Sequence, residues 1–149
     1  MSLTTKEKEL VSVGASLAAG CKPCTNYHLR AVRKAEASDE EIERAMSHAI
    51  AVRDNARKIM ERHGLKLLGR KFRRPVEEDA ATAGSTEGTT RIRELVCVAA
   101  AFAVNCTSSA EKHIEAARGV GVTDDEIQAV VDIARFIRGK ADSLCCKLI

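Results

Sequence analysis

Residues 4–64, shifted by 85 positions, overlay residues 89–149 without a gap, and 18 of the 61 aligned positions are identical. Chance would give roughly four, so the chain carries an internal duplication. Thr4 aligns with Thr89, Glu9 with Glu94, Cys21 with Cys106, His28 with His113, Asp39 with Asp124 and Arg53 with Arg138. A unit this short buries too little surface to be comfortable alone. The two copies are therefore expected to pack on one another with pseudo-two-fold symmetry.

Apolar residues recur at helical spacing in each copy. Thr4-Thr5-Lys6-Glu7 has the form of a capping box and opens a first helix, Thr4 to Gly20, with Leu10, Val13 and Leu17 as its stripe. Leu95, Val98 and Phe102 repeat that stripe, and small residues beside it let neighbours approach closely. Pro23 to about Ala35 reads as a second helix with Cys24, His28, Ala31, Val32 and Ala35 on one face. Ser38-Asp39-Glu40-Glu41 opens a third, longer helix carrying Ile42, Met46, Ala49, Arg53 and Ala56; Thr123-Asp124-Asp125-Glu126 is its copy. Few aromatics and only two prolines agree with helices throughout. The expected fold is all-α, two tandem three-helix repeats over residues 1–64 and 89–149. The pattern fails between them, so 65–88 reads as a linker. It holds the basic cluster Lys66, Arg70, Lys71, Arg73 and Arg74, then Pro75, the acidic run Glu77-Glu78-Asp79 and a small, polar tail. The cluster reads as solvated surface.

The net charge is only +3, with both signs interspersed, which gives no electrostatic case for nucleic acid. No apolar run reaches membrane-spanning length. The N-terminus lacks a signal-peptide layout, so a cytoplasmic protein is expected. In a reducing compartment six cysteines do not read as a disulfide framework, and the Cys-x-x-Cys among them reads as redox or metal-binding.

Chemistry concentrates at Cys21-Lys22-Pro23-Cys24-Thr25-Asn26-Tyr27-His28. Pro23 suits the first turn of a helix, where its missing N–H costs nothing. Backbone N–H groups and the helix dipole there favour a thiolate, at Cys24 or equally at Cys21. His28 lies one turn beyond Cys24 on the same face, within reach as base or partner. Glu9, beside the stripe of the first helix, needs a partner if buried; Arg53 is one candidate, and a relay with His28 is the other. The second copy keeps Glu94, Cys106 and His113 but has Ser109 in place of Cys24. Only the first copy can run a local dithiol cycle.

The pattern Glu-x11-Cys-x2-Cys-x3-His, from Glu9 to His28, resembles the alkylhydroperoxidase D-like (AhpD-like) family of the carboxymuconolactone decarboxylase superfamily. The helical reading and the duplication fit it, over most of both repeats. The resemblance implies a peroxidase in which Cys24 is the peroxidatic thiol, Cys21 the resolving thiol, and His28 with Glu9 the proton relay. It also implies ring-shaped assembly, here a homotrimer of six units. Pro23 stands where the best-studied members carry a second histidine between the cysteines. Members without the dithiol include decarboxylases, so the second repeat reads as a degenerate copy.

The implied partners are a small hydroperoxide and a thiol or dithiol donor, such as a lipoyl- or thioredoxin-type protein; no cofactor beyond the disulfide is expected. Three other readings compete: a general dithiol–disulfide oxidoreductase, a helical assembly binding a partner or a metal through Cys21, Cys24 and His28, and, more weakly, a decarboxylating lyase. Cys97 reads as a small core residue. Cys145-Cys146 is a possible second redox pair that would close a strained ring. His48 and His63 have no counterparts in the second copy and are given no role.

Overall fold

The structure, a computed structural model, describes residues 2–69 and 89–149. Among the described residues the regular elements are six α-helices: α1 (Thr5–Ala19), α2 (Lys22–Lys34), α3 (Asp39–Leu68), α4 (Arg91–Ala103), α5 (Thr107–Gly119) and α6 (Asp124–Cys146). Thr4, Ser38 and Thr123 each close a full capping box. Their side chains and the glutamates three residues on satisfy backbone N–H groups that a helix start leaves without partners.

One boundary differs from expectation. α3 runs through Leu68 and ends at Gly69 in the left-handed region, so residues 65–68 belong to the helix rather than to a linker. The alignment stops at Gly64 because its second copy meets Ile149 there, which says nothing about where the first copy's helix stops. Lys66 therefore sits in the last turn of α3, and the rest of the expected linker lies outside the described residues.

The packing is reciprocal, as a pseudo-two-fold requires. α1 contacts α2 and α3 of its own repeat and α4 and α6 of the other; α4 contacts α5 and α6 of its own and α1 and α3 of the other. The two first helices thus cross at the centre, and α1 is buried continuously from Leu10 to Ser16. Valines and alanines fill the crossing, with Val11, Val13, Leu95, Val96 and Val98 almost fully enclosed. Ser12 and Ser16, buried among them, donate their hydroxyls to the carbonyls of Lys8 and Ser12 at 2.7 Å each, so both hydroxyls are partnered.

Gly14 is where the crossing is tightest. A Cβ built there lies 2.7 Å from Val96 Cγ1 and 3.4 Å from Ala49 Cβ. Gly139, also helical, has nothing within 4 Å of such an atom. Gly14→Leu is expected to cost about 3 kcal/mol or more through overpacking. Gly139→Leu is expected to stabilise by about 0.5–1 kcal/mol through helix propensity alone. Urea unfolding of the two variants checks the contrast.

Arg91 ties the repeats at the other end of α1. Its Nε donates to Glu7 Oε1 at 2.7 Å, and its two Nη atoms donate to the Glu126 carboxylate at 2.6 and 3.2 Å. In the corresponding place the first copy has the Lys6–Glu41 pair at 2.8 Å. Arg91, with the Thr123 N–H, holds the Glu126 carboxyl down to about 2. Burial pushes Glu7 up, but Arg91 and the Thr4 N–H more than reverse it, so its pKa also lies below the ordinary value. Both carboxyls are depressed by folding, so the stability they contribute is present above the unfolded values, about 4.3, and is lost as pH falls toward the folded ones. Arg91→Ala is expected to cost about 2 kcal/mol at neutral pH. The difference from wild type should shrink as pH is lowered from about 5 to about 2, which thermal melts across that range measure.

Candidate active site

The turn that joins α1 to α2 positions the first cysteine. Gly20 takes the left-handed conformation (φ 71°) and its N–H closes on the carbonyls of Leu17 and Ser16. Glycine adopts that geometry without a Cβ penalty. Cys21 N–H then donates to Ser16 O at 3.0 Å, which brings residue 21 to the start of the next helix. The second copy repeats the turn with Asn105 (φ 56°), and Cys106 N–H donates to Ala101 O at 2.9 Å. Asparagine is among the few other residues that visit this region readily.

Cys21 is the N-cap of α2, Pro23 lies in its first turn, and Cys24 follows one residue on. The two sulfurs form a disulfide, with Cα atoms 5.3 Å apart, and both residues are buried. The helix start serves the two sulfurs unequally: the Cys24 N–H donates to Cys21 Sγ at 3.3 Å. A thiolate at Cys21 therefore receives the helix N-terminus directly. His28 Nδ1 lies 2.8 Å from Glu9 Oε2, a pair across the α1–α2 interface. With Nδ1 engaged by the carboxylate, Nε2 is the nitrogen left for proton transfer. Arg53 does not take Glu9. It donates to the Leu17 carbonyl at 3.1 Å, at the C-terminal end of α1, so the alternative Glu9–Arg53 pairing is corrected.

The second copy preserves the pair and buries it more deeply. His113 Nδ1 lies 2.7 Å from Glu94 Oε2; the Glu94 side chain is 2% exposed, against 22% for Glu9. Cys106 Sγ hydrogen-bonds Ser109 Oγ at 3.1 Å. Burial pushes the Cys106 thiol up, and the bonds to Ser109 and Ser108 outweigh it, so its pKa falls below the ordinary thiol value. Asn55 of α3 reaches across the repeats to within 3.5 Å of Ser109 Oγ. A cavity of about 320 Å³ opens beside Cys106, walled by Arg53, Arg57 and Met60 of the first repeat.

The sequence model of the carboxymuconolactone decarboxylase family matches residues 1–61 and 73–143, which include both Glu, Cys and His sets. The chain belongs to the carboxymuconolactone decarboxylase family. A crystal structure of a protein from Burkholderia xenovorans LB400, described as a gamma-carboxymuconolactone decarboxylase subunit, has the same fold. Its TM-score is 0.64 at 15% identity, covering 98% of this chain and 79% of that one. No curated protein matches the sequence.

Within this family frame, the structure brings Glu9, Cys21, Cys24 and His28 together where α1 meets the start of α2. The remaining cysteines are free thiols. Cys97 is buried in the core within α4, where burial and then the Glu94 charge push its thiol up to about 12. Cys145 and Cys146 are exposed at the end of α6 and not bonded to one another. Among the described residues, no three His, Cys, Asp or Glu side chains group to hold a metal ion. No helix among them is long and apolar enough to cross a membrane. His48, given no role from sequence, lines a second cavity of about 520 Å³ with Leu10, Ile92, Val96 and Arg93. Sequence reading missed both cavities, and no periodic signal marks them, because each is walled by residues of both repeats.

Proposed function

We propose that this chain is a thiol-dependent peroxidase of the alkylhydroperoxidase type, working through a Cys21–Cys24 dithiol–disulfide cycle. One observation carries the reading: a buried disulfide at the start of α2, one helical turn from a histidine already oriented by a carboxylate. Peroxide reduction needs these groups and no cofactor.

In the reduced state His28 takes the Cys24 proton, and the thiolate attacks the terminal oxygen of the hydroperoxide. The O–O bond breaks, the departing alkoxide collects a proton and leaves as alcohol, and Cys24 becomes a sulfenic acid. The Cys21 thiolate attacks that sulfur. Hydroxide leaves with a proton as water, and the disulfide closes. An external dithiol restores both thiols by exchange through a mixed disulfide. A lipoyl- or thioredoxin-type protein in a reducing, cytoplasmic compartment is the donor class this implies. Exposed apolar side chains such as Ile50, Met60 and Phe136, together with the duplication, favour a homotrimer of six units, for which a monomeric mass by light scattering would be the contrary result.

Two family-level alternatives have their own support. The N–H held to Cys21 suits a general disulfide exchange enzyme, and the structural neighbour's description points to decarboxylation. Turnover of tert-butyl hydroperoxide with dithiothreitol as donor separates the three. Steady peroxide consumption is expected. Reduction of protein disulfides without peroxide consumption would favour exchange, and thiol-independent CO₂ release from a carboxymuconolactone would favour the lyase.

A further inference from the structure

Cys21 and Cys24 need different help to ionise. Cys21, at the cap, accepts a backbone N–H. Cys24 is already inside the first turn and is the donor of that bond, so the helix start gives its sulfur less. Another positive group beside Cys24 would make up the difference.

The second repeat shows where such a group comes from. Ser109 occupies the Cys24 position there, and Asn55 approaches it from α3 of the other repeat. The duplication maps Ser109 onto Cys24 and Asn55 onto Lys140. α6, which carries Lys140, packs against α2, as that mapping requires. We propose that Lys140, supplied by the second repeat, is the cation that stabilises the Cys24 thiolate once the disulfide opens. The two crossings then differ as pairs: serine with asparagine where no thiolate forms, cysteine with lysine where one does. The inference rests on the redox reading of the Cys21–Cys24 pair.

The same mapping sets Asp142 at the place of Arg57, which walls the Cys106 cavity, so the α6 side brings a carboxylate as well as Lys140. On α2, Lys22 precedes it in the first turn and His28 follows, and Glu9 from α1 pairs with His28. From α3, Arg53 is bound at the Leu17 carbonyl. On α6, Arg138 is committed to the Phe102 carbonyl and Asn105. Lys140 lies exposed on α6, two residues beyond Arg138.

The test follows the pH dependence of iodoacetamide alkylation at the Cys24 peptide, read by mass spectrometry in a Cys21→Ser background that cannot close the disulfide. Adding Lys140→Gln should raise the midpoint by about 1 pH unit and slow alkylation about tenfold below it. Lys140→Arg should restore most of the shift, and Asn55→Ala should leave it unchanged. An unmoved midpoint in Lys140→Gln, or an arginine variant no better than the glutamine one, overturns the proposal. No peroxide enters the measurement, so its result stands apart from whether the protein turns over hydroperoxide.

Discussion

Cys24→Ser is expected to abolish peroxide consumption even in a single turnover, while Cys21→Ser still consumes one equivalent and then stops. The difference follows from the order of bond making. If Cys24 is the thiol that meets peroxide, its loss removes the first step, and a hydroxyl at that position is no substitute at neutral pH. Loss of Cys21 removes only the second step, so the Cys24 sulfenic acid persists and a dimedone-type probe labels it. The structure gives this experiment more force than residue spacing alone, because the N–H bond to Cys21 favours the opposite thiol. If Cys21 is the one labelled and Cys24 is dispensable for the first turnover, the site is an exchange centre of the thioredoxin kind, and its substrate is a disulfide.

The second large effect separates two pairs that look alike. His28→Ala and Glu9→Gln should slow the peroxide step by about 10²–10⁴-fold if proton transfer limits it. His113→Ala and Glu94→Gln should leave that step nearly unchanged, because Ser109 replaces the thiol their pair would serve. Stability should rank the other way. Glu94 is almost fully enclosed and Glu9 is partly exposed, so Glu94→Ala should cost about 3 kcal/mol and Glu9→Ala about 1 kcal/mol or less. Single-turnover kinetics and urea titrations on one set of variants give both rankings. The first pair then serves chemistry, and the second holds α4 to α5.

Much of this was legible in the chain because duplication turns one pattern into two. The capping residues Thr4, Ser38 and Thr123, and the stripe of Leu10 and Val13, act over three or four residues, and local physics fixes their structure. The pairing of Glu9 with His28 was one of two options, and only the packing of α1 on α2 decides it. The Arg91 hub was not legible. Ile92 stands at the position of Glu7, so the symmetry of the copies fails there, and the arginine gathers carboxylates from α1 and α6 that are far apart in sequence. The Asn55–Ser109 approach and both cavities depend on how one repeat is turned against the other. Side-chain periodicity says which face is buried, and it does not say what faces it.

If the first repeat's dithiol is the redox centre, hydroperoxide should oxidise that pair before any other thiol. Peptide mapping of fully reduced protein after one equivalent of organic hydroperoxide tests it most directly. A Cys21–Cys24 disulfide is expected as the main product, with Cys97 and Cys106 recovered as thiols. A main product joining Cys145 to Cys146 or Cys97 to Cys106, or Cys21 and Cys24 recovered unoxidised, would contradict it.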